Sequence, residues 1–248
     1  MKSRYLGLTG LIIFLIAWET ISDFKIVDPF FISSPSKVIV SLYELFSTGD
    51  IFPHLLFSGE EFFAGFFLAI ISGIILGLII SSSGYLYNLT KPFITGLYNT
   101  PRIILLPLLL IWFGFGLFSK VLLIFLIAIF PILVNTITAA RNVDRSLILM
   151  ARSFSASKLV IFIKVIFPSS FPYILTGINL AIGRALTGII VGELYGSSGG
   201  IGYLASYFGQ TFQIDKLIAI IIIFIIFSLL LTNAIYLLTE RFNYEENN

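Results

Sequence analysis

The sequence contains no cysteine and one histidine, His54. Disulfides, thiolate metal sites and a histidine-rich metal cluster are thereby excluded, and no metal is expected. No G-x-x-x-x-G-K-[ST] segment occurs, so nothing cradles a nucleotide phosphate and the chain is not expected to hydrolyse ATP by itself. Charge is also scarce. Only 11% of the 248 residues are charged, against roughly 25% in a soluble domain. That leaves too few polar groups to cover a globule in water, whereas lipid accepts an apolar outer surface. The net charge of +2 and the absence of a basic stripe exclude nucleic acid as a partner.

What is present is long apolar runs. A bilayer core needs about 20 mostly apolar residues in a helix, and six stretches qualify: Tyr5–Ile21, Phe62–Ser81, Phe93–Phe113, Val121–Ala140, Phe171–Glu193 and Leu217–Leu238. The chain therefore reads as an all-α integral membrane protein with about six transmembrane helices. Lys2 and Arg4 before an apolar run resemble a signal peptide, but Trp18 and Glu19 stand where small residues would mark cleavage, so an uncleaved first span is expected. Pro101 and Pro107 interrupt the third run, and such breaks persist only where neighbours or water satisfy the freed carbonyls.

Loop charges orient the spans. With both termini cytoplasmic, the inside segments hold Lys2, Arg4, Lys91, Arg141, Arg145, Arg152, Lys158, Lys164 and Arg241. The outside segments hold only Lys25, Lys37, Lys120 and Lys216. The outer segment Ser22–Glu61 is acidic, and within it Ser36–Phe46 has helical apolar spacing at Val38, Leu42 and Leu45. Two placements fit that helix: on the outer membrane surface or packed on the bundle.

The inside segment Arg141–Ser170 carries five of those nine positive charges. Leu147, Met150, Ala151 and Phe154 fall at i, i+3, i+4 and i+7, one face of a short amphipathic helix outside the bilayer. Such a helix either lies on lipid or inserts into a groove on a cytoplasmic partner.

This segment resembles the signature loop of the permease subunits of binding-protein-dependent ABC importers, E-A-A, three residues, Gly, nine residues, I-x-L-P. Leu149, Met150 and Ala151 stand at E-A-A, Ser155 at the glycine, and Val165, Phe167 and Pro168 in the last element. Ala151 and Pro168 match; Leu149, Met150 and Ser155 depart. "NTPRIILLPLLLIWFGFGLFSK" (Asn99–Lys120), "FPYILTGINLAIGRALTGIIVGEL" (Phe171–Leu194) and "GGIGYL" (Gly199–Leu204) are similar to the nitrate/sulfonate/taurine branch. The resemblance covers roughly residues 30–240. It implies a type I importer permease fold with a cytoplasmic coupling helix, in the bacterial inner (plasma) membrane, and no cofactor. It also implies cytoplasmic ATPase subunits, an external substrate-binding protein and a second permease subunit, a homodimer being expected, besides membrane lipid. The ATPase-coupling residues would be Leu147, Leu149, Met150, Ala151, Phe154, Ser155 and Pro168. Leu149 cannot offer the charged contact of the family Glu. Ser155 would have to make a left-handed turn with help from its side chain, or the local shape differs. Pro168 would fix the loop's exit angle. The domain plan is a first helix with external segment (1–60), the permease domain (61–240) and a cytoplasmic tail (241–248).

Within the spans, Gly65, Ala69, Gly73 and Gly77 recur every four residues, as do Gly177, Ala181 and Ala185, a spacing that lets helix backbones approach closely. Arg184 near the middle of the fifth span either lines a pathway that favours anionic cargo or serves as a structural hub. Asn135 and Asn179 either join helices or line that path, and Asn99 borders the broken third span. Arg102 is expected to snorkel to the inner interface, Glu193 to sit at the outer one, and His54 to lie on the external surface. No catalytic residues are expected. A self-contained secondary transporter would need carboxylates at the membrane centre, and a membrane hydrolase a nucleophile and base at one depth. A non-transporting scaffold leaves Arg184 and the broken third span without a role.

Overall fold

The computed structural model describes the backbone of residues 2–28 and 30–246, and the side chains of residue 7 and residues 9–28 and 30–237. Among the described residues all regular structure is helical. The helices are α1 (Lys2–Asp23), α2 (Pro35–Ser47), α3 (Ile51–Ser81), α4 (Gly84–Asn99), α5 (Leu106–Phe113), α6 (Leu117–Arg141), α7 (Arg145–Ser153), α8 (Lys158–Ile161), α9 (Phe167–Gly196), α10 (Ile201–Gln210) and α11 (Ile214–Glu246). A 3-10 turn (Arg102–Leu105) precedes α5, and a π turn (Phe162–Ile166) joins α8 to α9.

Four helices among the described residues are long and apolar enough to cross a membrane: Ile51–Ser81, Leu117–Arg141, Lys158–Gly196 and Ile214–Leu237. The pair Gly84–Asn99 and Arg102–Phe113 qualifies together as a fifth, bent by 88° at its break. The bend falls at Thr100–Pro101, where the sequence places its interruption. The first expected span lies partly on side chains outside the described residues.

The chain divides into two compact units. One comprises residues 1–58 and 193–227. Its core gathers Val38 and Leu45 of α2, Ile51 of α3, Ile201 and Phe208 of α10, and Ala219 and Ile220 of α11. The α2 helix thus takes the packed placement rather than the membrane surface. Ser34 caps its N-terminus, accepting from the Lys37 amide, while the Glu19 carboxylate accepts from Ser36 N (3.0 Å) and Ser36 Oγ (2.6 Å). Ser41 Oγ donates to Asp215 Oδ2 at 2.6 Å and ties α2 to α11.

The α10 helix starts on three side chains from elsewhere in this unit. Gly200 N donates to His54 Nδ1 (3.0 Å), Ile201 N to Ser58 Oγ (2.8 Å), and Gly202 N to Glu193 Oε2 (2.5 Å). Ser58 Oγ in turn donates to Glu193 Oε1 at 2.5 Å. Amides that a helix start leaves without partners are thereby satisfied. Gly200 has φ +101°, and a Cβ there would overlap the Glu193 carboxylate, so only glycine fits. Glu193, three residues from the end of α9, is fully buried rather than solvated, and His54 is half-buried rather than on the surface. Both corrections have one cause: the unpartnered amides of α10 recruit them, a long-range demand that local hydropathy does not register.

The second unit, residues 59–192 and 228–248, is built around α6, fourteen of whose 25 residues are buried. Gly65, Gly73 and Gly77 of α3 meet it so closely that a Cβ would come within 2.7 Å of Val121 O, 3.0 Å of Ile132 Cγ2 and 2.7 Å of Thr136 Cβ. On the other side, Gly177 of α9 faces Asn135 and Pro131, while Ala181 and Ala185 are fully buried. Among lipid tails apolar burial gives little drive, so this close packing carries the helix association.

The α3 helix begins eleven residues before the expected span, at Ile51, and carries Glu61 into the unit's interior. There Glu61 Oε1 meets Lys120 Nζ of α6 at 2.5 Å, both side chains being essentially inaccessible. The sequence reading counts both among external segments; the structure buries them because each neutralises the other.

Candidate functional site

The α7 segment is set by its two caps. Asp144 accepts from Ser146 N at 2.8 Å and starts the helix. That backbone hydrogen bond, with the Ser146 hydroxyl, holds the Asp144 carboxyl below its ordinary range. With its value lowered on folding, the cap contributes above the usual aspartate range and is lost only as pH falls through the lowered value. At the other end Ser155 N donates to Arg152 O (2.8 Å) and Ala156 N to Ala151 O (3.1 Å), the paired bonds of a Schellman stop. Ser155 stands at its left-handed position with φ +57°. It therefore makes the turn that the resemblance assigns to a glycine, held by these backbone bonds; no hydrogen bond from its hydroxyl occurs among the described residues. Ser155→Gly should relieve the left-handed penalty and stabilise the segment by about 1 kcal/mol. Slower limited proteolysis between Arg141 and Lys158 would register it, and unchanged cleavage would count against the strain.

Leu147, Leu149, Met150 and Phe154 are all exposed, Phe154 by 81%, and Ala151 is half-buried. An apolar face thus stands open at the end of α6 that carries α7. Pro168 is not at a loop exit. It lies in the first turn of α9, which continues the helix from Lys158. The π turn before it has Phe167 N donating to Phe162 O, a widened turn of the kind that fits a residue without an amide donor.

The intramembrane candidates converge only in part. Along α9, Tyr173, Thr176, Leu180, Gly183 and Thr187 are exposed and share one side with half-buried Arg184. The hydroxyls of Thr176 and Thr187 donate to Pro172 O and Gly183 O of their own helix. Two cavities open along it. One, about 250 Å³, is lined by Tyr98, Asn99, Arg102, Ile127, Arg184 and Thr187, among others. The other, about 600 Å³, includes Asn135, Thr138, Asn142, Asp144, Tyr173 and Thr176. Asn99 and Arg184 thus meet at one cavity and Asn135 lies at the second, while Asn179 lines neither. Asn135 also holds its own helix, donating through Nδ2 to Pro131 O at 2.8 Å.

Arg184 Nη2 donates to the Tyr98 hydroxyl at 3.1 Å, and its guanidinium lies 4.9 Å from the centre of that ring. Among the described residues it has no carboxylate partner. Arg102 does not snorkel. It is buried and donates to Leu97 O (2.8 and 3.0 Å), Tyr98 O and Ile127 O (3.3 Å), with its guanidinium 4.5 Å from the Phe130 ring centre. The Leu97 and Tyr98 carbonyls are freed where α4 ends, and that of Ile127 in α6 stands four residues before Pro131, which has no amide to offer it, so an arginine supplies what the break at Pro101 and this proline remove. This role was missed because it depends on an 88° bend that folds Arg102 back over the helix it follows. The cavity beside it carries two guanidinium groups and no carboxylate.

Residues 69–244 match the family described as the binding-protein-dependent transport system inner membrane component. The chain is 33% identical over 243 residues to SsuC of Bacillus subtilis (strain 168), named as an aliphatic sulfonates transport permease protein, covering 97% of this chain and 88% of that one. It is 27% identical to the taurine transport system permease protein TauC of Escherichia coli (strain K12), over 95% of this chain and 88% of TauC. With the formylaminopyrimidine transport permease protein ThiX of Halalkalibacterium halodurans it shares 31% identity over 83% of this chain and 82% of ThiX. Among solved structures, an inward-facing MetNI methionine ABC transporter superposes with a TM-score of 0.66 at 18% identity, over 77% of this chain and 94% of that chain. A family match across most of the chain, relatives that are transport permeases, and that shared fold agree with one another. The chain belongs to the binding-protein-dependent transport system inner membrane components, the multi-pass permeases of ABC importers, which work with an ATPase and a substrate-binding protein.

Proposed function

We propose that this chain, as a homodimer, forms the translocation path for a small anion such as a sulfonate or nitrate, with both termini cytoplasmic and no enzymatic activity of its own. The observation that carries the cargo class is the cavity at Tyr98 and Asn99, where two guanidinium groups stand without a carboxylate. Arg102 is occupied by backbone carbonyls. Arg184 makes one hydrogen bond to a neutral hydroxyl among the described residues and keeps donors for an oxyanion. The names of the sulfonate and taurine relatives point the same way.

Losing a charge-assisted hydrogen bond costs about 1.5–3 kcal/mol, so Arg184→Gln should cut uptake of an anionic cargo tenfold or more. Arg184→Lys should retain part of it. Radiolabelled taurine, an alkanesulfonate and nitrate, supplied to cells carrying the whole importer, would read this. A second reading is a heterocyclic vitamin precursor, favoured by the ThiX relative and by the Tyr98 ring in the cavity. In that case Tyr98→Ala abolishes uptake while Arg184→Gln leaves it near normal. The orientation is tested separately: in this cysteine-free chain, cysteines placed at Ser47 and Ser157 should label from opposite sides of the membrane. Labelling of both from one side would overturn this topology, and labelling of the cysteine at Ser157 alone from outside would reverse the orientation.

A further inference from the structure

We infer that Tyr87, Lys91 and Arg141 form a binding site for the phosphate of an anionic phospholipid, on the side of the membrane that carries α7. The Arg141 guanidinium, at the C-terminal end of α6, lies 3.9 Å from the centre of the Tyr87 ring, and Lys91 Nζ, one turn along α4, lies 5.6 Å from the same ring. Two cations gathered on one neutral ring repel each other, and neither has a carboxylate partner among the described residues. Both are exposed, whereas Tyr87 is half-buried. An anion lying between them removes the repulsion and accepts from both; a phosphate diester has the size and the acceptors to do so.

The rest of α4 says where that phosphate comes from. No residue of this helix is buried. Tyr85, Leu89, Phe93 and Leu97 recur every fourth position and are 76%, 52%, 69% and 53% exposed, an apolar stripe that stays more than half uncovered. Tyr87 and Lys91 lie on the other side of α4 from this stripe, about 200° on from Tyr85 and Leu89, so the stripe sets the helix among acyl chains while phospholipid heads stand beside Lys91 and Arg141. Basic clusters at the ends of membrane helices hold lipid heads in this way. The site is separate from the α9 cavities and rests on nothing argued about the cargo.

The test uses the full chain purified in a neutral detergent, with phosphatidylglycerol and phosphatidylcholine as probes and native mass spectrometry to read retained lipid. Wild type should retain phosphatidylglycerol in preference to phosphatidylcholine. Lys91→Gln should weaken that retention about fivefold, and Lys91→Gln with Arg141→Gln by more than tenfold. Arg141→Lys, which keeps the charge, should retain most of it. Lys158→Gln, an exposed charge outside the cluster, should change nothing. The single Lys91 variant keeps the test open if loss of Arg141 impairs folding. Equal retention of both lipids, or retention unaffected by Lys91→Gln, overturns the site. Inorganic phosphate that displaces phosphatidylglycerol at millimolar concentration would make the ligand a free phosphate and overturn the lipid. Unchanged lipid with loss of ATPase capture in the double variant would make the cluster a protein contact, which also overturns it.

Discussion

Lys120→Met should destabilise the chain by about 3–5 kcal/mol, because it leaves the Glu61 carboxylate buried without its cation. Lys120 and Glu61 are each essentially inaccessible, and 2.5 Å apart. Removing both charges is a different experiment. Glu61→Leu combined with Lys120→Met keeps comparable volume and deletes the desolvation cost of both ions, so it should come within about 1 kcal/mol of wild type or exceed it. Thermal unfolding of the detergent-solubilised chain separates the three. A Lys120→Met variant as stable as wild type would mean that water reaches the pair. The double variant also bears on transport: if uptake persists without either charge, the pair serves packing between α3 and α6 and takes no part in moving solute.

The second large effect is expected at α7. Met150 is 57% exposed on a helix capped at both ends, beside exposed Leu147 and Phe154. If this face docks into a groove on the ATPase, Met150→Asp places an unpaired charge against an apolar surface. Burying such a charge is costly enough to abolish capture rather than weaken it slightly. Co-purification of the ATPase with wild type and variant reads the outcome, with membrane insertion as the control. Undiminished capture and uptake would show that another surface couples the two proteins. Weaker attachment of the loop to lipid, with capture intact, would instead assign α7 to the membrane.

Much of the fold is legible because hydropathy and small-residue spacing are local signals. Gly65, Gly73 and Gly77 announce a close helix contact four residues at a time, and the structure places α6 there. The amphipathic period at Leu147, Met150 and Phe154 likewise marks α7, and the family spacing puts its left-handed stop at Ser155. What stays hidden is charge that finds its partner far along the chain. Glu61 looks like the polar edge of a span until Lys120, 59 residues on, is brought beside it. Glu193 and His54 look peripheral until the start of α10 needs acceptors. Arg102 reads as an interfacial arginine because its spacing to the membrane edge is visible and the bend that turns it inward is not. In each case the side chain answers to a backbone group or an ion in another element, and no window of a few residues contains both.

From Lys158 to Gly196 the helix runs without a break, so the segment beside α7 and the guanidinium of Arg184 ride on one rod, about 39 Å apart along its axis. The wide turn at Phe162–Ile166 holds one residue more than an α turn, so loss of one residue there can close it to α geometry and leave Arg184, Thr187 and Gly183 aimed as before. The α stretch from Phe167 to Arg184 has no such slack: each residue added or removed turns everything beyond it by about 100° and shifts it by about 1.5 Å. Length is therefore under tighter constraint after the wide turn than within it.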